Sequence, residues 1–116
     1  MTVKEVYEQF RGNYESVLSR LRDDERIKKY LLKLVDYHYD DLIKNALKEQ
    51  DYETAFRESH NLKGICANLS IDALEKTSSD LTEALRGRNP EGDITPLVDA
   101  LQRDMDITMA AIKELM

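Results

Sequence analysis

Ser59-His60-Asn61-Leu62-Lys63-Gly64-Ile65-Cys66-Ala67-Asn68-Leu69 is the stretch from which the fold follows. Wound at about 100° per residue, it lines up Ala55, Ser59, Leu62, Cys66 and Leu69 as the buried stripe of an α-helix. His60 falls roughly 140° from the centre of that stripe. Gly64 and Ala67 lie beside it, Asn61 comes directly after it, and Arg57 and Lys63 flank it. The helix thus turns one imidazole toward water, in a clearing of small side chains with cations at its edge. A helical histidine is more commonly an ordinary solvated or core side chain than a reactive one, and the angle argues against the core. Gly64 argues against indifference, because glycine inside a helix costs about 1 kcal/mol relative to alanine. Clearance for an approaching surface is a reason to keep it. Lys63, three residues on, is a surface neighbour of His60 and can hold negative charge there.

Composition narrows the class. A chain of 116 residues is one domain, residues 1–116, with a single core. Scarce glycine, two prolines and no tryptophan, with 34% charged residues among the leucines and isoleucines, describe a soluble helical protein. The net charge of −6 is poor footing for nucleic acid or an anionic membrane. The lone cysteine, Cys66, excludes an internal disulfide and falls on the apolar stripe, where it reads as a small core residue. There is no apolar run of transmembrane length and no signal-peptide core near Met1. The cytoplasm is therefore the expected compartment, and a monomer the expected state.

Outward from the histidine helix, the chain reads as a series of helices. Thr2 caps a short one carrying Val3, Val6, Tyr7 and Phe10. Asn13 caps a second, with Tyr14, Val17, Leu18 and Leu21. Asp23 or Asp24 opens what reads as the longest element, running to about Glu49, with Ile27, Leu31, Leu34, Val35, His38, Leu42, Ala46 and Leu47 at helical spacing. His38 is expected at the buried edge of that stripe as a structural side chain. Asp51 caps the His60 helix (about Tyr52 to Leu69), and Ser70 is expected to cap the next one. That helix carries Leu74, Thr77, Ser78, Leu81 and Leu85, with Gly87 closing it. After the loop Arg88-Asn89-Pro90-Glu91-Gly92-Asp93, Thr95-Pro96 reads as a cap plus first-turn proline. Leu97, Val98, Leu101, Met105, Thr108, Ile112 and Leu115 then carry the last helix. Such short links force antiparallel neighbours. The expectation is an all-α, antiparallel up-and-down four-helix bundle, with short N-terminal helical segments covering one end.

The string His60-x-Leu62-Lys63-Gly64-x-x-x-Asn68-Leu69 resembles the signature of histidine-containing phosphotransfer (HPt) domains of two-component phosphorelays, and the resemblance extends from about Leu18 onward. It implies that His60 accepts a phosphoryl group, through Nε2, from a receiver-domain aspartyl phosphate and passes it to another receiver. It implies as partners response-regulator receiver domains or a hybrid histidine kinase, and a phosphocarrier with no catalytic turnover of its own. Neutral imidazole, with a free pKa near 6.5, is an abundant nucleophile at neutral pH. Lys63 would offset phosphoryl charge and Gly64 would leave room for docking. Arg86 stands where some HPt domains carry arginine, and with Arg57, Ala67 and Asn61 it is a candidate for phosphate binding or docking. The family often has glutamine where Thr82 stands and glycine where Ser70 stands.

Other chemistries find little support. No glycine-rich phosphate loop is present. Bundles that hold metals use Glu-x-x-His, but Arg57 precedes His60 by three and Val35 precedes His38 by three. No cofactor or metal is expected on this chain, with Mg²⁺ belonging to the receiver. A bundle that binds a receiver or kinase without accepting phosphate is the alternative. A kinase domain using ATP as the donor is a third possibility, which a freestanding small chain makes less natural.

Overall fold

Thr2 opens the first helix as the spacing predicts. Its hydroxyl accepts the Glu5 N–H while the Glu5 carboxylate accepts the Thr2 N–H, a reciprocal cap that satisfies two otherwise orphaned donors. From there the structure, a computed structural model describing residues 1–116, is helical throughout its regular elements. They are α1 (Val3–Gln9), α2 (Tyr14–Leu21), α3 (Asp24–Tyr37), α4 (Tyr39–Lys48), α5 (Tyr52–Leu69), α6 (Asp72–Leu85) and α7 (Thr95–Lys113). Asn13, Asp23 and Asp51 cap α2, α3 and α5 with side-chain oxygens, as their positions predicted. Helices α4 to α7 close into a four-helix bundle: α5 packs between α4 and α6, and α7 between α6 and α4. Its core holds Ile43, Leu62, Cys66, Leu74, Leu81, Leu85, Met105 and Ile112.

The long third element is two helices, which corrects the reading of one helix to Glu49. His38 adopts the left-handed conformation (φ 58°, ψ 52°), which breaks the ladder between α3 and α4. The break rotates the chain beyond it. In one continuous helix Leu42 would face the core, but here it is 39% exposed while Tyr39 and Ile43 are buried. His38 is accordingly exposed, not at a buried edge. Histidine is among the residues that tolerate this backbone region better than most, and the flanking Tyr37 and Tyr39 rings pack 4.2 Å apart across the bend.

Three helix ends also differ from expectation. Ser70 does not cap α6; it terminates α5 in the left-handed region (φ 56°), which accounts for glycine being common at such a position. Ile71 precedes α6 without a side-chain cap. Helix α6 ends at Leu85 with Arg86 as its C-cap, and the left-handed step after it falls on Arg88 rather than Gly87. Thr95 is the first residue of α7, and the Asp93 carboxylate accepts its N–H at 2.9 Å.

The N-terminal helices cover one end of the bundle, as expected, and they do so by gripping the end of α5. The Tyr7 hydroxyl donates to the Leu69 carbonyl (2.7 Å) and the Asn13 N–H to the Ser70 carbonyl (2.8 Å). The Arg20 guanidinium donates to the Asn68 and Ala67 carbonyls (2.9 and 3.2 Å) and to the Ser70 hydroxyl. The last carbonyls of a helix lack intrahelical partners and carry the negative end of its dipole. A cation and two further donors therefore hold the far end of the His60 helix in place. Gly12 makes the approach possible: a Cβ there would lie 2.7 Å from Phe10, Tyr7 and the Ser70 carbonyl oxygen.

Candidate functional site

Helix α5 buries the face read from its sequence. Ala55, Ser59, Leu62, Cys66 and Leu69 are all buried, and burial pushes the Cys66 thiol well above its ordinary range, so it is an inert core group. His60 is exposed on the opposite side, together with Arg57, Asn61, Gly64 and Ala67, while Lys63 is half-buried. An added Cβ at Gly64 would meet no atom within 4 Å. Nothing in the chain's own packing calls for glycine there.

An aromatic platform underlies the imidazole. The Phe56 ring stacks on His60, with centroids 5.9 Å apart and planes 6° from parallel, as side chains four apart on a helix can do. Two guanidinium groups reach that ring: Arg86 at 5.7 Å from its centroid and Arg88 at 3.9 Å. Cations over an aromatic face are attracted by its quadrupole. Arg86, named from the sequence, is thus drawn to the His60 face from the end of α6. Phe56 and Arg88 were not singled out. The i−4 spacing of Phe56 was available as a signal, whereas Arg88 arrives through the conformation of the α6–α7 loop.

Electrostatics separate these cations. Arg88 pairs with Glu53 (2.9 Å), Arg57 lies 3.6 Å from the buried Glu58, and Arg86 forms a two-pronged contact with Glu83 (2.6 and 3.1 Å). Lys63 stands in none of the chain's ion pairs, so its charge is the least committed on this face. The Arg86 hydrogen bond, ahead of the Arg86 and Lys63 charges, holds the Glu83 carboxyl below its ordinary range. Thr82 is fully buried and its hydroxyl donates to the Ser78 carbonyl at 2.7 Å. It offers nothing to a group on His60 in this arrangement.

A separate trio, His38, Asp40 and Asp41, brings potential metal-ligand atoms within 4.8 Å of one another. Asp40 already accepts a hydrogen bond from Gln102 at 3.2 Å, and the His38 and Asp41 side chains are 55% and 68% exposed. The trio is the acidic first turn of α4, favoured there by the helix dipole, and it lies outside the His60 face.

Against known proteins, the family model described as the Hpt domain matches residues 38–114, well over half of the chain. The match begins at the His38 bend and covers α4 to α7, which leaves α1 to α3 outside it. Neither the curated proteins nor the solved structures gave a match.

Proposed function

The chain belongs to the Hpt-domain family of phosphorelay proteins, and from that premise we propose that His60 is the residue that accepts and passes on a phosphoryl group. The observation that carries the reading is the exposed imidazole on the outer face of α5, beside an unencumbered Gly64. In the proposed step, the unprotonated ring nitrogen, taken as Nε2, gives its lone pair to phosphorus. The bond from phosphorus to the receiver's aspartyl oxygen breaks, and its electron pair leaves on the carboxylate. The proton on the other ring nitrogen stays, and the reverse reaction with a second receiver restores neutral imidazole. Phosphoryl transfer asks mainly for alignment and charge stabilisation. Lys63 supplies a positive charge on this face that no ion pair commits, and Arg86 a second cation, paired at rest with Glu83. Mg²⁺ is assigned to the receiver partner and no cofactor to this chain, which acts as a carrier without turnover, as a monomer and in the cytoplasm. No helix is long and apolar enough to cross a membrane.

The surface next to the Gly64 side of the helix supports a protein partner. Leu21, Tyr30, Ile65 and Leu69 line an open cleft of about 380 Å³, and Tyr30 and Tyr37 are 45% and 50% exposed. Apolar and aromatic surface rimmed by polar groups is what docking faces present. Asn61, Gly64 and Ala67 lie between His60 and that shoulder or beside it on the helix, which suits a receiver seated over them.

Incubation with phosphorylated receivers of the source organism tests the assignment. Label should move to the protein, survive alkali, be lost in acid and vanish in His60→Gln. Absence of transfer from every receiver overturns the reading. Binding that persists unchanged in His60→Ala, with no phosphohistidine formed, would identify an interaction module instead.

A further inference from the structure

The cation that a phosphoryl group on His60 would recruit from α6 already holds an anion. Both prongs of the Arg86 guanidinium engage Glu83, at 2.6 and 3.1 Å, the fork geometry that guanidinium also uses for phosphate. The same guanidinium lies over Phe56, the ring stacked on His60. Lys63 acts on that carboxylate too, pulling its proton affinity down after Arg86 does. One carboxylate therefore holds one of the cations assigned to the phosphoryl group and feels the charge of the other. The Arg88–Glu53 pair also reaches Phe56, but its guanidinium meets the carboxylate through one prong only, whereas Arg86 presents both.

We propose that Glu83 is a positioning residue: it occupies Arg86 as a stand-in for the phosphoryl group, and by competing for that guanidinium it keeps phosphohistidine easy to discharge. The inference rests on His60 being the acceptor. In the resting protein Glu83 holds Arg86 within reach of the site. After transfer, the phosphoryl oxygens compete with a tethered carboxylate for the same donors, and the two anions repel. Phosphohistidine is then less stable than it would be beside a free arginine, which suits a group that must be handed on.

The test measures the equilibrium between a phosphorylated receiver and the full chain, together with the ³¹P shift and hydrolysis half-life of the isolated phosphohistidine. Glu83→Gln should move the equilibrium constant toward His60 by roughly two- to fivefold, the range of an exposed charge interaction, lengthen the half-life and shift the ³¹P resonance. Glu83→Asp, which keeps the carboxylate, should fall between the two. In an Arg86→Ala background Glu83→Gln should have no further effect, since the two act as one unit. No shift in Glu83→Gln, a shift toward the receiver, or an effect that persists without Arg86 overturns the proposal. If the wild-type chain takes no label on His60, the acceptor assignment fails first; if it labels normally and Glu83→Gln leaves the equilibrium unmoved, only the role of Glu83 fails.

Discussion

Replacing Gly64 with alanine should make this protein more stable, although Gly64 lies in the middle of its principal helix. A methyl group there meets no atom within 4 Å, so there is no packing penalty. The gain is the difference in helix propensity, about 0.5–1 kcal/mol at an exposed helix-interior position, arising largely from the lower entropy of the unfolded chain. With a urea m-value of about 2 kcal/mol per molar for a domain of this size, the midpoint should rise by roughly 0.4 M at unchanged m. Gly64→Gln should also fold stably, since glutamine is a good helix former, yet its longer side chain should slow phosphotransfer from a docked receiver. The pair of variants separates folding from function. A lower urea midpoint in Gly64→Ala would mean that the position is packed after all. Unchanged transfer rates in Gly64→Gln would show that clearance beside His60 is not why glycine stands there.

Gly12→Ala should have the opposite sign, losing about 1–3 kcal/mol by overpacking, because the new Cβ would press on Phe10, Tyr7 and the Ser70 carbonyl, each at 2.7 Å; a urea midpoint at or above wild type refutes this. Arg20→Met keeps an apolar stem but removes the guanidinium from the Ala67 and Asn68 carbonyls, and should cost about 1–2 kcal/mol with faster amide exchange in the last turn of α5. Lys63→Ala should slow transfer to His60 while leaving the circular dichroism melt intact; an unchanged rate removes Lys63 from the mechanism. In alkali, the Tyr14 hydroxyl, bonded to Asp24, and the Tyr39 hydroxyl, desolvated by burial, are both pushed up from 10.0 to about 12. Groups raised in the folded state lend stability that is present below pH 10 and lost as pH rises toward 12. Unfolding should therefore set in between these values, and Tyr39→Phe should move it upward in a titration monitored by tyrosinate absorbance.

Residue order alone settles the helical class, the buried face of α5, four of the helix caps and the exposure of His60. Each rests on the 3.6-residue period or on a side chain bonding to backbone within three residues, so each is local. Long-range packing set the break at His38, which no proline or glycine announces and which turned Leu42 outward and Ile43 inward. It also made Ser70 end α5 instead of starting α6, because its carbonyl and hydroxyl answer to Asn13 and Arg20 about fifty residues earlier. At the site, spacing supplied His60, Lys63 and Gly64, but only the antiparallel packing of α6 on α5 and the path of the loop after it bring Arg86 and Arg88 onto Phe56. Which cations remain uncommitted depends on carboxylates from other elements, and a helical period carries no information about those.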